Sequence, residues 1–296
     1  MRNALLALLA LLISIPAFAR STRHSRSVSI STDDGEEITS CDQIKVSFDG
    51  ERAVMREEVI PAGNLRSLKG HAAVNGGIRV TGWDRPDWSI KACRATNPNF
   101  NDSDVRPYLR GDELGVDGDE YDNQAVVYFL IRAPRNATLT LDAHNGAIGV
   151  QGISGTLRAR TQNGPISLTQ VAGSVDAEAQ NGPINFSGDS GRVRLEAQNG
   201  PVDVNLLGSS WNGNLEASTQ NGPISLKIPR DYRSGVVVQS NGHGPVSCHA
   251  EACRQARRTW GDDDDDDSSR RIELGSGAQN VRLSTTNGPV SVREGK

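Results

Sequence analysis

Aromatic residues are scarce in this chain: Phe, Trp and Tyr together make up 4% of its 296 residues. The chain also lacks an excess of positive charge, because 32 Lys and Arg stand against 36 Asp and Glu, a formal net charge of −4 at pH 7. Proteins that bind nucleic acids need a basic surface and aromatic side chains on which bases stack. The composition therefore argues against a nucleic-acid partner.

Long apolar runs are absent beyond the N-terminus. The short run at residues 4–15 follows Arg2 and precedes Ala17-Phe18-Ala19, the small-x-small pattern of a cleavage site. This run is well short of the roughly 20 residues that span a bilayer. We therefore predict a signal peptide at 1–19 and no transmembrane segment in the mature chain. Export leaves the periplasm, the cell surface and the medium as possible destinations.

Familiar catalytic signatures are absent as well. The chain contains no Gly-x-Ser-x-Gly nucleophile elbow, no phosphate-binding Gly-rich loop and no His-Glu-x-x-His pair. We therefore predict a protein that is not an enzyme, with no catalytic residues and no cofactor.

What the sequence has instead is a short tandem repeat. The pair Asn-Gly begins at positions 145, 163, 181, 199 and 221, which gives three equal steps and a slightly longer one, and it returns once more near the end of the chain. A fixed short period is typical of repeat architectures. The predicted corner residues are Asn145-Gly146, Asn163-Gly164, Asn181-Gly182, Asn199-Gly200, Asn221-Gly222 and Asn287-Gly288.

Strand-like alternation fills each repeat. Residues 166–169 (ISLT) and 175–179 (VDAEA) alternate apolar and polar side chains, the pattern of half-buried strands. A constant step favours equivalent strands stacked in parallel at about 4.8 Å over antiparallel hairpins. We therefore predict an all-β fold, an elongated parallel β-solenoid with rungs of about 18 residues. The general preference of parallel crossovers predicts a right-handed coil.

The predicted corner has a conformational rationale. Gly enters the left-handed region freely, Asn does so more readily than most residues, and the Pro that follows holds the chain extended. Amides stack along the axis of cross-β structures, so we also predict amide ladders along this corner. The amides concerned are Gln162, Gln180, Gln198, Gln220 and the Asn that follows each.

Composition divides the chain into three predicted parts. Residues 1–19 are the signal peptide, 20–39 a disordered linker rich in Ser and Arg, and 40–296 the solenoid domain. Within that domain we predict capping rungs at 40–95, an inserted loop at 96–122, regular rungs at 123–248, an acidic insertion at 249–271 and the last rung at 272–296. Trp83 and Trp88 are expected to close the open end of the core, with sugar or peptide binding as the alternative.

Four cysteines in an exported chain predict disulfides. Three pairings are possible. Proximity in sequence favours Cys248–Cys253, which leaves Cys41–Cys93. A zinc site that includes His249 is the alternative, although the spacing matches no common zinc pattern.

A run of six aspartates is the sharpest local feature of the sequence. Oxygen ligands suit Ca²⁺, so a weak calcium site is one interpretation. Consecutive carboxylates point in different directions and repel one another, so a solvated loop is the favoured interpretation. The candidate ligands are Asp262, Asp263, Asp264, Asp265, Asp266 and Asp267.

The outward positions of the repeats carry mixed polar residues, as a solvated sheet requires. They are Ser167, Asn185, Asp203 and Ser225 on one strand and Arg158, Asp176 and Arg194 on the other. Some parallel β-solenoids are polysaccharide lyases that use calcium-bound carboxylates and a basic side chain. The residues that could imitate such a set are Asp176, Glu178, Glu196 and Arg194, but their charges alternate in sign and form no dense cluster.

Three stretches resemble the bacterial "putative adhesin" β-strand-repeat family. They are NGGIRVTGWD at 75–84, VYFLIRAP at 127–134 and the recurrent Asn-Gly-x-Ile/Val corners. The resemblance spans about residues 63–292 with two insertions. It implies an exported β-solenoid without catalytic residues, whereas the aspartate run and the cysteines depart from the family pattern.

These observations predict a non-enzymatic exported protein that binds a protein or glycan of the cell envelope along a strand face. Two alternatives remain open. One is a structural module that polymerises through its end rungs, and the other is a carbohydrate-active enzyme of the lyase kind.

Overall fold

The computed structural model describes residues 28–32, 38–100, 105–118, 124–242, 244–260, 270–276 and 278–295. Within these ranges the chain forms strands and two short 3₁₀ helices, Cys41–Gln43 and Glu251–Gln255, so the predicted all-β class is confirmed. The signal peptide predicted at 1–19 and the aspartates 262–267 lie outside the described residues. In the described part, no helix has both the length and the apolar character needed to cross a membrane.

The strands of the described ranges are numbered in chain order. They are β1 Val28–Thr32, β2 Ile44–Phe48, β3 Glu51–Arg52, β4 Val54–Ile60, β5 Ser67–His71, β6 Ile78–Trp83, β7 Ser89–Thr96, β8 Arg106–Arg110, β9 Glu113–Asp117, β10 Ala125–Pro134, β11 Thr138–Ala143, β12 Ile148–Gln151, β13 Thr156–Thr161, β14 Ile166–Thr169, β15 Ser174–Ala179, β16 Ile184–Gly188, β17 Ser190–Asn199, β18 Val202–Leu206, β19 Asn212–Asn221, β20 Ile224–Ile228, β21 Val236–Ser240, β22 Val246–Cys248, β23 Arg257–Trp260, β24 Arg270–Leu274, β25 Val281–Thr285 and β26 Val290–Glu294.

These strands form two long sheets and one small one. The eleven-strand sheet has the order β22-β26-β20-β18-β16-β14-β12-β6-β10-β7-β4. The twelve-strand sheet has the order β23-β24-β21-β25-β19-β17-β15-β13-β11-β5-β9-β8, and β1, β2 and β3 form the third sheet. From β11 to β20 the chain alternates between the two long sheets, so each pair of consecutive strands contributes one strand to each sheet. We call such a pair a rung.

The rungs pair in parallel and in register. Leu157 of β13 lies opposite Leu139 of β11 and Val175 of β15, one repeat away in each direction. Between β17 and β19 the step is longer, because extra residues are accommodated between β18 and β19. Trp211 fills that corner with 3% of its surface exposed and packs edge-on against Phe186 at 6.1 Å between ring centroids.

The core lies between the two long sheets. Identical positions of successive rungs form apolar columns, and side chains of both sheets belong to one continuous cluster. Burial of these columns removes apolar surface from water, which is the main stabilising contribution to the stack. One column of the eleven-strand sheet is Ile148, Ile166, Ile184, Val202, Ile224 and Val290, and the facing one is Leu139, Leu157, Val175, Val193, Leu215 and Val281.

The N-terminal end departs from this regularity. Strands β5 and β6 form the first rung, since they pair in parallel with β11 and β12, which come much later in the chain. Beyond that rung the eleven-strand sheet continues with β10, β7 and β4, and the pairs β10–β7 and β7–β4 are antiparallel. Strands β8 and β9 extend the other sheet, so the segment 96–122, predicted as a loop, contains two strands. The predicted capping rungs at 40–95 are therefore largely antiparallel.

The small sheet covers the outer face of this end. Its residues Ile44, Val46 and Phe48 pack against Ala95, Val126 and Leu130, which point away from the main core. Strand β1 belongs to this sheet, although residues 20–39 are predicted to be a disordered linker. Because both of its faces are covered, β10 is buried at six consecutive positions, an unusual pattern for a sheet with a solvated face.

The C-terminal end also departs from chain order. Strands β25 and β26 lie between the rung β19–β20 and the pair β21–β22, which precedes them in sequence. The segment predicted as the last rung is therefore last in sequence but not outermost in the sheets. The corner sequence is consistent with this order. Asn287, Gly288 and Pro289 form an uninterrupted Asn-Gly-Pro corner, and Asn287 donates to Asn221 of the regular corner, whereas two extra residues separate Gly242 from Pro245 in the sequence. The hairpin of β24 and β23 then closes the twelve-strand sheet in antiparallel pairing.

Candidate functional site

A ladder of asparagine side chains runs along the corner that follows the twelve-strand sheet. The Nδ2 of Asn163 donates to Oδ1 of Asn145 at 2.9 Å, and Asn181 repeats the contact to Asn163 at 2.9 Å. The same hydrogen bond recurs from Asn199, Asn221 and Asn287, and Asn145 donates to Asn75 at 3.2 Å. This confirms the asparagine part of the predicted amide ladder. In the described residues no side-chain hydrogen bond joins Gln162, Gln180, Gln198 or Gln220 to one another, although the four occupy equivalent positions of successive rungs.

The corner glycines owe their presence to close stacking and not to backbone conformation. None of the corner glycines Gly164, Gly182 and Gly200 has a positive φ. The prediction that glycine is needed here for the left-handed backbone conformation is therefore wrong. A Cβ added to Gly182 would lie 2.2 Å from the carbonyl oxygen of Gly164, and one added to Gly200 would meet Gly182 at the same distance. Since real Cβ atoms do not approach that closely, each rung requires a glycine here.

Buried hydroxyls satisfy the backbone behind the glycines. The amide of Gly164 donates to Oγ1 of Thr161 at 3.0 Å, and Oγ1 of Thr219 donates to the carbonyl of Gly200 at 2.9 Å. Thr285 makes the equivalent bond to Gly222 at 2.9 Å. The corner is thus fixed on both sides, which gives the neighbouring side chains defined positions.

A groove of about 730 Å³ runs beside this ladder, on the outer side of the twelve-strand sheet. We call it the corner groove. One wall is the glutamine column, which the structure leaves exposed: Gln162, Gln180, Gln198 and Gln220, continued by Thr286. The other wall consists of the residues two positions earlier in each rung: Asp142, Arg160, Glu178, Glu196, Ser218 and Ser284. Each rung therefore presents one pair of polar side chains to the same groove.

Arginines neutralise the charged part of the groove. Arg160 donates to Glu178 at 2.9 Å, and Arg194 donates to Glu196 at 2.6 Å on the next strand. Hydrogen bonding to these carboxylates, ahead of the charge interaction, raises the pKa of both guanidinium groups. Both partners of each pair are exposed, so solvent screens the charges and the pairs contribute little to stability. Their main effect is to fix the position and the charge of this wall.

The four residues considered for lyase chemistry do lie together. Asp176 is opposite Arg194 and Glu178 is opposite Glu196 on adjacent strands. However, Arg158 lies 3.6 Å from Asp176 and 3.9 Å from Glu178, so arginines already occupy the carboxylates. Within the described ranges no group of three or more His, Cys, Asp or Glu is placed to hold a metal ion. The predicted calcium ligands 262–267 lie outside those ranges.

The opposite outer face, on the eleven-strand sheet, carries few charges along the regular rungs. Ser167, Asn185, Asp203 and Ser225 point outward as predicted. A shallow depression of about 220 Å³ lies among their neighbours and includes Lys227. This face offers hydroxyls and amides without a continuous groove.

The two tryptophans have structural partners. The Nε1 of Trp88 donates to the carbonyl of Leu65 at 3.0 Å, and 7% of this residue is exposed, consistent with closing the core. The Nε1 of Trp83 donates to the carbonyl of Asp87 at 2.8 Å, and the guanidinium of Arg85 lies 4.5 Å from the Trp83 ring. Neither ring is an open platform for a sugar.

Both predicted disulfides are present. Cys41 is bonded to Cys93, and Cys248 is bonded to Cys253. The first joins the 3₁₀ helix before β2 to β7, and the second closes a short loop after β22. His249 is exposed beside that loop, and its backbone amide donates to the carbonyl of Val292.

The sequence reasoning found the glutamines but missed the second wall of the groove. Asp142, Arg160, Ser218 and Ser284 are absent from the predicted set. A signal was available, because every member of this wall stands two residues before a glutamine or its equivalent, and alternate residues of a strand share one face.

No protein-family model and no curated protein matches this chain. Among solved structures, it is similar to a "putative cell adhesion protein" from Clostridium sporogenes, with 9% identity and a TM-score of 0.31 over 82% of this chain and 100% of that one. It is also similar to a "putative adhesin" from Bacteroides fragilis, with 10% identity and a TM-score of 0.39 over 82% of this chain and 96% of that one.

Proposed function

We propose that this chain is an exported, non-enzymatic, adhesin-like β-solenoid that binds a polymer of the cell envelope along the corner groove. The observation that carries the proposal is the periodic lining of the groove, in which four successive rungs each contribute one exposed glutamine amide and one further polar side chain. A periodic surface of this kind matches an extended partner with repeating polar groups. The solenoid belongs to the same proposal and is supported by the parallel, in-register pairing of the rungs, and its right-handed coil follows the general preference of parallel crossovers.

A glycan is the favoured partner and a protein segment is the second. The groove is lined by amides, carboxylates, guanidinium groups and hydroxyls, and the residues that line it include no large apolar side chain. Such a surface can exchange hydrogen bonds with hydroxyl groups but offers no pocket that would bury the apolar side chains of a peptide. Export is supported by the two disulfides, because disulfides persist in oxidising compartments.

The two alternative functions lack comparable support. Assembly through the end strands would involve edge strands such as β4, whose Arg56, Glu57 and Glu58 are exposed charges of the kind that protect free edges. The lyase alternative would need accessible carboxylates, which Arg158, Arg160 and Arg194 occupy.

Retention of envelope material on the immobilised protein tests the proposal. We expect the purified chain to retain a cell-envelope polysaccharide, and the triple variant Gln162→Ala, Gln180→Ala, Gln198→Ala to lose that retention. The matched control Ser167→Ala, Asn185→Ala, Ser225→Ala alters the opposite face and should bind as the parent does. If a chain with an intact circular dichroism spectrum retains neither polysaccharide nor protein, the proposal is wrong.

A further inference from the structure

A small basic pocket lies on the outer face of the eleven-strand sheet, near its N-terminal end and away from the corner groove. We call it the arginine pocket. Its volume is about 110 Å³. Its polar lining is Arg79 and Thr81 of β6, Ser89 and Lys91 of β7, Arg132 of β10, and Thr39.

The sheet register explains why these side chains converge. Arg79 lies opposite Leu130, and Leu130 lies opposite Lys91 on the far side. Two residues further along β6, Thr81 lies opposite Arg132 of β10, and Arg132 lies opposite Ser89 of β7. Three adjacent strands therefore direct two rows of side chains to the same face, and Thr39 approaches from the segment before the small sheet.

The positive charge of the pocket is only partly compensated. Lys91 forms an ion pair with Glu57 at 2.6 Å. Arg79 donates to the neutral side chain of Gln151 at 2.9 Å, and the guanidinium of Arg132 lies 5.9 Å from the Trp83 ring. Neither arginine has an ion-pair partner within the described ranges, and the Arg79 guanidinium lies towards Gly149 and Gln151 of β12.

Arg79 carries a second indication of a missing ligand. Its Nε is buried and has no hydrogen-bond acceptor. A buried donor without an acceptor is unfavourable, and an acceptor on a bound molecule would remove that cost. Among the described residues an acid pairs with Lys91 and none pairs with Arg79, which suits a site whose anion comes from a bound molecule.

We propose that the arginine pocket binds a tetrahedral oxyanion, the phosphate or sulfate group of a larger molecule or the free ion. Guanidinium forks pair with such oxygens through two hydrogen bonds, and hydroxyls and an ammonium complete the set of donors. The volume is below the roughly 300–1,000 Å³ of pockets that enclose whole ligands. The pocket therefore takes one charged group, and the rest of a larger ligand extends over the outer face of the sheet.

Isothermal titration calorimetry of the full mature chain tests this proposal. The probes are inorganic phosphate, inorganic sulfate and a sugar phosphate, each at low and at high NaCl concentration. We expect heats of binding that decrease with added salt. The variant Arg132→Gln, which alters an exposed side chain, should weaken binding roughly tenfold or more, since hydrogen bonds between charged groups are the strong ones.

The matched control is Arg192→Gln, which removes an exposed arginine from the twelve-strand sheet and should leave the affinity unchanged. Tighter binding of the sugar phosphate than of inorganic phosphate would identify an ester of a larger molecule as the ligand, and equal affinities would identify the free ion. Absence of heat with all three probes, or an equal loss in Arg132→Gln and Arg192→Gln, would overturn the proposal. Because the pocket and the corner groove lie on different sheets, either proposal can fail alone.

Discussion

The central rungs and the two ends of this molecule are stabilised in different ways. From β11 to β20, every rung makes the same contacts as its neighbours: an asparagine hydrogen bond, a glycine against a carbonyl and an apolar column. At the ends, antiparallel strands, a separate small sheet and two disulfides take over. The difference shows that a stack of repeats needs a distinct termination, because its last rung would otherwise expose both its core and a free strand edge.

The C-terminal strand pair provides the strongest test of this comparison. Deletion of residues 281–296 removes a rung from the interior of both sheets, so that β19 and β20 each lose one of their two parallel partners. We expect loss of cooperative unfolding, measured by circular dichroism during denaturant titration. Removal of residues 295–296 alone, which breaks one backbone hydrogen bond to Ile228, should cost about 1 kcal/mol or less. An unchanged midpoint in the long deletion would show that this pair is peripheral.

The glycine corner should be the most sensitive single position in the centre. Gly182→Ala places a Cβ 2.2 Å from the Gly164 oxygen and forces adjacent rungs apart. We expect about 3–5 kcal/mol of destabilisation in urea unfolding.

Gly63→Ala is the matched control outside the rungs. This glycine has φ of +53° and open space around it, so its substitution should cost about 1–2 kcal/mol from backbone conformation alone. Equal losses at the two glycines would contradict the stacking argument.

Removal of each disulfide in turn allows a direct comparison of how much it stabilises its end of the molecule. Cys41 and Cys93 are separated by 52 positions in sequence, and Cys248 and Cys253 by 5. Loop-closure entropy predicts a loss of about 4 kcal/mol for the Cys41→Ser/Cys93→Ser variant and about 2 kcal/mol for Cys248→Ser/Cys253→Ser. Denaturant unfolding of both double variants measures the two values, and the reverse order would show that the small sheet contributes little to the N-terminal end.

The asparagine ladder should contribute less per residue than the glycine stack. Asn181→Ala removes a donor to Asn163 at 2.9 Å and an acceptor for Asn199 at 3.0 Å. Because these amides are exposed, we expect about 1 kcal/mol of destabilisation by thermal unfolding. Asn185→Ala, an exposed asparagine outside the ladder, should stay within about 0.5 kcal/mol of the parent. Equal destabilisation by the two substitutions would show that the asparagine ladder does not stabilise the protein.

The smallest expected loss of stability comes from breaking a contact between the N-terminal end and the first regular rung. Arg135 donates to Asp84 at 2.6 Å and to the carbonyl of Gly152 at 3.2 Å, and its hydrogen bond holds the pKa of Asp84 below the ordinary value of 3.8. A lowered folded-state pKa stabilises the protein above the ordinary value, and that contribution is lost as the pH falls through the lowered one.

Asp84→Asn should therefore lower the unfolding midpoint slightly at pH 6, and the gap to the parent should close below pH 3.8. The pair is exposed, so added salt should reduce the gap as well. A gap that persists unchanged at low pH would show that the charge of Asp84 is not its cause.

The regular part of the fold is predictable from the sequence because its information is local and repeated. The constant step, the alternation in ISLT and VDAEA, and the asparagine stack all follow from contacts between neighbouring rungs. The one longer step is accommodated at the second corner, where Trp211 fills the space.

The ends are less predictable because their pairings join distant, non-repeating segments. Nothing in the periodicity of residues 89–96 indicates that β7 lies antiparallel between β10 and β4. The position of β25–β26 inside the stack likewise depends on which of two similar corners fits better, a comparison of three-dimensional contacts. The arginine pocket depends on the same distant pairings, since its three strands are brought together only in the folded chain.

The uniform corner also has a consequence for how this protein can change over evolutionary time. The boundaries between β11–β12 and β17–β18 have the same register, so an in-frame duplication or excision of one repeat unit there creates a junction that already occurs elsewhere in the chain. Every added unit would lengthen the molecule by about 4.8 Å without altering the existing ones. The length of the molecule can thus vary by whole repeat units, while both terminations stay the same.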